Sequence, residues 1–305
     1  MSNPAAAMIF GIIGSTLFHL SKGFQRHGIE ALELFSSRKV RRQAGQERSP
    51  KAAQKTVLYV TGLILNNSLG FFSILANRYA PSSYFTSMFG LGLIALMLYS
   101  GFVLKEPIGR LRYSGAGVLI LGTLILGYDA IVRPPLTMGG VHLPAAGIVF
   151  AVTLLLGGGL IYSTRRNRGL KAFGAICGSM IGLSSGLDPV LKGIGQNFGE
   201  SGRFLPKLPA GWAIFLASFF FATFSVVVSQ WAFKRGVHAS ILIPIQTFSF
   251  ITYPIMFQAI ALPGFVLTGR TVLGLSVTVL GMVMMRTRNG PMKESEEGSG
   301  AGSAV

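Results

Sequence analysis

Few side chains in this sequence could do chemistry, and most of those that could are polar rather than charged. Of the ten acidic residues, only Asp129 and Asp188 lie beside long apolar runs. Asp188 follows Gly186-Leu187 and precedes Pro189, at the end of a Gly- and Ser-rich apolar segment that Pro189 is expected to interrupt or terminate. An ionisable group in such a setting faces a partner, a cavity or a pathway, and Lys192, one helical turn on, is the candidate ion-pair partner. Asp188 is also the carboxylate that a cation crossing this core would meet, which makes it the candidate metal ligand. Asp129 reads as a solvated helix end. His19 lies beside Lys22 at the close of another apolar run, and suits either a proton relay or a hydrogen-bonded packing role.

The neutral polar residues form a more coherent set. Asn66 and Asn67 sit in the middle of one apolar run, and Ser229 and Gln230 near the end of another. Gln246, Thr247 and Ser249 lie beside Pro244 in a third, and Ser15 falls near the end of the first. Amides and hydroxyls embedded in apolar sequence need partners, which neighbouring helices or a wet cavity can supply. Two uses stay open for them: a solute site midway through the protein, or helix–helix glue. Enzymatic activity is not expected. The sequence has no phosphate-cradling Gly-Lys loop, no His-rich ligand spacing and no plausible nucleophile–base pair, and it implies no cofactor. The single cysteine, Cys177, excludes an intramolecular disulfide.

The elements that must position these residues are membrane helices. Half of the 305 residues are hydrophobic and 12% are charged, where a soluble domain carries about a quarter charged. The apolar residues come in blocks of about 17 to 23, the length that crosses a ~30 Å hydrocarbon layer as a helix. The predicted spans are 5–21, 57–76, 82–104, 113–131, 143–162, 172–188, 210–232, 239–261 and 268–285, about nine in all. The first has no basic leader or cleavage site and reads as a retained helix. The stretch from Gly290 onward reads as a disordered tail.

The net charge of +17 is spread through the gaps between apolar blocks, which speaks for topology rather than nucleic acid. With the N-terminus outside, 21 Lys and Arg fall on the cytoplasmic side and six on the other. The positive-inside rule then predicts N-outside and C-inside, in a plasma (bacterial inner) membrane. The first cytoplasmic loop holds Arg38, Lys39, Arg41 and Arg42, a cluster suited to anionic lipid headgroups.

Internal similarity adds an architecture. Ser15-Thr16-Leu17 with Lys22-Gly23 recurs as Ser185-Gly186-Leu187 with Lys192-Gly193, at one offset. Gly115 and Gly122 in the fourth span match Gly274 and Gly281 in the ninth, seven apart in each case. Pairing spans 1–4 with 6–9 shifts the chain by five helices, and an odd shift inverts the second copy across the membrane. The expected division is a first repeat at 1–131, a linking helix within 132–168, a second repeat at 169–288 and a tail at 289–305. Inverted repeats of this kind are how many secondary transporters build two halves around a midplane site.

The run Ala76-Asn77-Arg78-Tyr79-Ala80-Pro81-Ser82-Ser83-Tyr84-Phe85-Thr86-Ser87, followed by Leu104-Lys105-Glu106-Pro107 and the glycines 115 and 122, resembles the NIPA-type magnesium transporters and, more distantly, other members of the drug/metabolite transporter superfamily. Gly11-Ile12-Ile13-Gly14-Ser15, Ser179-Met180-Ile181-Gly182 and Ile243-Pro244 extend the likeness over most of residues 8–285. The resemblance implies an all-α membrane fold of two inverted four-helix repeats joined by a linking helix. It also implies alternating-access transport of a small solute or cation, with magnesium or another divalent cation as cargo. At the positions matching that family's second-helix glutamate and asparagine, this chain has Gly70 and Ser73. An EamA-like organic metabolite exporter is the alternative within the superfamily, and a non-transporting membrane scaffold or lipid-handling protein the alternative outside it. Expected partners are the solute or cation, anionic membrane lipids and, as an open option, a second copy of the chain in a homodimer.

Overall fold

The computed structural model describes residues 3–28, 50–103, 109–134, 136, 138–164, 169–200, 202–237 and 239–286. Among these the regular structure is helical, with no strand. The helices are α1 (Pro4–His27), α2 (Pro50–Asn77), α3 (Ser82–Ser87), α4 (Gly92–Phe102), α5 (Arg110–Val132), α6 (Leu143–Thr164), α7 (Leu170–Asn197), α8 (Pro209–Lys234), α9 (Ala239–Ala261) and α10 (Gly269–Arg286). A 3-10 turn, Phe89–Leu91, joins α3 to α4, and another covers Met138–Gly140. Taking α3 and α4 together, eight of the described segments are long and apolar enough to cross a membrane; Gly269–Met285 is apolar but shorter. The protein is a multi-pass, membrane-embedded helical bundle.

Its polarity is distributed as a lipid solvent requires. Leu155, Phe220, Val227, Ile148 and Ile64 are among the most exposed apolar side chains, whereas His19, Lys22, Asp188, Lys192 and Gln246 are buried. Lipid tails leave backbone groups no partner, so each segment satisfies its own as a helix and turns its polar side chains inward. Proline at the start of α1, α2 and α8 suits a first helical position, where a missing N–H costs nothing. Asn3 Oδ1 accepts from Ala6 N–H at 3.1 Å and caps α1.

Packing is pairwise. The most extensive contacts join α5 to α10, α1 to α2, α7 to α8, and α7 to α9; α1 also lies along α3 and α4. The α5–α10 crossing is built on glycine. A side chain at Gly115 would strike the Gly281 carbonyl, and one at Gly122 the Gly274 carbonyl; the converse substitutions at Gly281 and Gly274 meet Gly115 and Gly122. Without a Cβ at these four positions the two backbones approach directly, the usual device for helix pairs in lipid. Little of α6 is buried, and it lies at the edge of the bundle.

Four sequence expectations are corrected. The first and sixth spans do not stop at 21 and 188: α1 runs to His27 and α7 to Asn197, which brings Lys22 and Lys192 inside helices and out of loops. Pro189 does not end its helix but lies within α7. Its missing N–H leaves one gap in the ladder, while surrounding packing holds the continuation. The third span is broken at the 3-10 turn rather than continuous over 82–104. Asp129 is buried, not solvated, as described below. The cluster Arg38, Lys39, Arg41 and Arg42, the Lys105-Glu106-Pro107 turn and the tail 289–305 lie outside the described residues.

Candidate functional site

The break in the third span is the first clue to the site. A 3-10 turn between two short helices leaves backbone donors and acceptors without intrahelical partners. Ser15 of α1 satisfies two of them: its hydroxyl donates to the Phe89 carbonyl and accepts from Gly92 N–H at 3.0 Å. Gly92 has no room for a side chain, because one would strike Ser15 and the His19 ring. One turn along α1, His19 Nδ1 lies 2.8 Å from the Ser15 carbonyl, and Nε2 lies 3.2 Å from Thr247 Oγ1 on α9. A carbonyl only accepts, so Nδ1 carries the proton, and in the neutral ring Nε2 accepts from the Thr247 hydroxyl. His19 therefore ties α1 to α9 at full burial.

Ser15, His19 and Lys22 follow at helical spacing on one face of α1. The Lys22 ammonium is buried, with 1% of the residue exposed. Its Nζ lies 3.4 Å from Ser229 Oγ on α8 and 4.9 Å from the centre of the Phe18 ring. No carboxylate among the described residues pairs with it. Beyond Lys22 an amide network closes the seam between α1, α2 and α8. Gln25 Nε2 donates to the Gly62 carbonyl at 3.1 Å and Gln230 Nε2 to Gln25 Oε1 at 2.7 Å, while Tyr59 donates its hydroxyl to Gln230 Oε1 at 3.0 Å.

The other end of the seam is built alike with different partners. Lys192, also fully buried, sits on α7 and pairs with Asp188 one turn back. Its Nζ lies 4.5 Å from the Phe219 ring centre on α8, and the Ser218 hydroxyl faces the Asp188 carboxylate. Gly70 on α2 faces the Lys192 ammonium, where a Cβ would come within 3.7 Å of Nζ. Past Lys192, amides again close the end: Asn77 Nδ2 donates to the Pro189 carbonyl at 2.8 Å, and Gln196 Nε2 to the carbonyls of Ile74 at 3.0 Å and Phe204 at 2.9 Å.

Between the two lysines, α8 turns Ser218, Ser225 and Ser229 inward. The outer two of these serines are eleven residues apart, about 16 Å along the axis. On α2, Asn66 lies on the stripe between Gly62, which abuts α1, and Gly70, which faces Lys192. It is 7% exposed, and its Oδ1 has no hydrogen-bond partner. Gln246 on α9 is 1% exposed with Oε1 likewise unpartnered. The arrangement is a seam of hydroxyls, open amide oxygens and two ammonium groups, enclosed at both ends.

Of the residues expected from sequence, Ser15, His19, Asn66, Asp188 and Gln230 lie along this seam. Gln246 is buried on α9 beside Thr247, the partner of His19. Asn67 does not join them: it is exposed and donates Nδ2 back to the Leu63 carbonyl of its own helix at 2.9 Å. Lys22, Gln25, Tyr59, Asn77, Gln196 and Ser218 belong to the seam and were not expected as site residues. The signal that could have found the first is the Lys-Gly pair recurring at 22–23 and 192–193, a charge kept at matching places in two apolar runs. No group of three or more His, Cys, Asp or Glu side chains among the described residues is placed to hold a metal ion.

A second polar cluster ties α5 to the start of α10. Asp129 accepts from Arg133 at 2.7 Å, from Thr268 Oγ1 at 2.7 Å and from Thr271 Oγ1 at 2.7 Å, and the Arg133 guanidinium lies 4.1 Å from the Phe265 ring centre. The carboxylate is neutralised by the cation that caps its own helix, which fits a structural tie.

Comparison with protein-family models, with curated proteins and with solved structures gives no match for this chain.

Proposed function

We propose that this protein is a secondary transporter that moves a small solute along the seam between α1, α2, α7 and α8 by alternating access. The observation that carries this reading is the enclosed polar seam, with a buried lysine at corresponding places in α1 and α7. Burying ionisable groups in a membrane bundle is expensive, and such groups mark substrate or ion pathways. Extensive packing is paired in the same sense: α1 on α2 and on the third span answers α7 on α8 and on α9, while α5 meets α10. The reciprocal glycines, 115 with 281 and 122 with 274, are what a pseudo-two-fold axis between inverted copies would produce. On this reading nine helices span the membrane, the repeats are 1–131 and 169–288, α6 links them, and α1 runs from outside to inside. Lys22 then lies toward the cytoplasm and Lys192 toward the exterior, each under an amide network that closes its end.

Within this class a divalent cation is the weaker cargo. The seam presents two ammonium groups against the single Asp188 carboxylate, and hard cations are held by several oxygen ligands, usually with carboxylates among them.

The test is uptake by purified protein in sealed liposomes, with labelled small organic solutes and, in parallel, an entrapped magnesium-sensitive dye. Saturable uptake above empty liposomes that is lost in Asn66→Leu supports transport through the seam. No uptake of any kind by folded, inserted protein overturns it in favour of a scaffold or lipid-handling role.

A further inference from the structure

We propose that the cargo is an organic anion, and that Lys22 takes its carboxylate or phosphate; this deepens the transporter reading and rests on it. The two lysines of the seam occupy matching places, yet among the described residues only one meets a carboxylate. Four residues before Lys192 stands Asp188, which pairs with it; four residues before Lys22 stands Phe18, whose ring covers the ammonium. Among the described residues its other polar contact is a single hydroxyl at 3.4 Å, a long hydrogen bond. Of its three N–H donors, then, one is used weakly, in a place where an unpaired charge is costly. A lysine retained there without a carboxylate is built to receive one from outside the chain. An ammonium is a compact point charge suited to carboxylate or phosphate oxygens.

The surroundings narrow the ligand further. The unpartnered Oδ1 of Asn66 lies one turn along α2 from Gly62, which packs against Ser21 and Gln25, on either side of Lys22 in the chain. An amide oxygen only accepts, so it recognises a hydroxyl or N–H on the same ligand. Ser229 donates its own proton to the Ser225 carbonyl at 2.8 Å, so toward Lys22 it acts as an acceptor and leaves the other ammonium protons to a ligand. The site therefore suits a small anion that also carries a donor, such as a hydroxy acid, an amino acid or a sugar phosphate. A neutral solute leaves the Lys22 charge uncompensated, and a cation meets repulsion. Asp188 explains why the second lysine does not compete: its charge is already met within the chain.

The experiment uses the full chain in neutral detergent, and reads its thermal unfolding midpoint with inorganic phosphate, glycerol 3-phosphate, lactate, succinate and serine. Sodium chloride of matched ionic strength, glycerol and magnesium chloride serve as controls, and a short-chain phosphatidic acid separates a lipid headgroup from a soluble anion. We expect at least one soluble anion to raise the midpoint of the wild type by several degrees. The half-maximal concentration should rise tenfold or more in Lys22→Gln, and stay within a few-fold in Lys22→Arg. Should Lys22→Gln not fold, Ser229→Ala keeps the test, with a smaller loss in the same direction. The proposal is overturned if no soluble anion moves the wild type beyond the chloride control, if the shift survives in Lys22→Gln, or if only the lipid produces it. Liposome uptake separates the two failures: transport of a neutral solute or of magnesium without an anion response sinks the anion claim alone, and the absence of any uptake sinks the transporter.

Discussion

Asp188 and Lys192 form an ion pair one turn apart on α7 with both side chains buried, beside a proline that breaks the ladder without ending the helix. A buried pair contributes little relative to a well-packed apolar substitute, but removing one member strands the other. Asp188→Asn should therefore destabilise the protein by about 3 to 5 kcal/mol, and Asp188→Leu with Lys192→Met should recover most of that. Unfolding in detergent across the double-mutant cycle measures it. If the double variant is no more stable than the singles, the pair is not the isolated unit described.

Adjacent asparagines on α2 give a sharp contrast. Asn66 is buried with an open amide oxygen on the seam, and Asn67 faces outward and bonds to its own helix. Asn66→Leu should abolish most uptake with little loss of stability, since it removes an unsatisfied polar atom. Asn67→Leu should leave uptake within about twofold, as expected of an exposed position away from packing. Liposome uptake normalised to folded protein decides; equal effects at both positions would remove Asn66 from the route.

How much of this was legible in the sequence depends on what kind of signal carried it. Helix length and apolar content come straight from the bilayer, so membrane helices are readable from blocks of residues. What eluded reading was where those helices stop. Lys22 and Lys192 are charged, and a rule that ends spans at charges sends them to loops; burial beside Phe18 and Phe219 is a tertiary fact. The break at Phe89–Leu91 was hidden for the same reason, since Ser15, more than seventy residues away, satisfies its backbone. Asn66 and Asn67 look identical in sequence, and only the helical phase set by Gly62 and Gly70 tells them apart. Asp129 looked like a helix end because Thr268 and Thr271, which bury it, come from the far end of the chain.

The α5–α10 crossing should tolerate no side chains. Gly115→Val and Gly274→Val each drive a side chain into the facing helix, at a cost of about 1 to 3 kcal/mol, the usual range for overpacking. Gly117, exposed and with open space around it, is the control on the same helix, and Gly117→Ala should be neutral or slightly stabilising. Midpoints that fall equally at 115 and 117 would mean that the crossing is not what limits stability.

Outside the membrane spans, Glu200 is held below the ordinary carboxyl value by hydrogen bonds from Arg203 and Lys207 and by their charges. A depressed native value stabilises the fold above the unfolded value and is lost as pH falls through the native one. The wild type should thus exceed Glu200→Gln slightly at neutral pH, and the difference should shrink once pH falls below the ordinary carboxyl range and vanish as it passes the lowered native value. The group is exposed and screened, so the effect is small. A gap that widens on acidification would contradict the assignment.

Orientation is testable because the chain has one cysteine. Cys177 is buried, so Cys177→Ala gives a background without thiols at the cost of a small cavity. Lys22 and Lys192 lie within helices, so neither belongs in a count of loop charges; removing one from each side leaves the excess of basic residues on the same face. The positive-inside rule therefore still predicts the exposed start of α7 in the cytoplasm and the loop before α8 outside. In that background Lys207→Cys should react with a membrane-impermeant maleimide added to intact cells, or to spheroplasts where an outer wall intervenes. Lys171→Cys should react only after permeabilisation. The opposite pattern would put the N-terminus inside and exchange the faces of the two lysines, so that Lys22 would meet a solute arriving from outside. Labelling of both sites from one side would break the odd number of crossings between them, and with it the inverted arrangement on which alternating access depends.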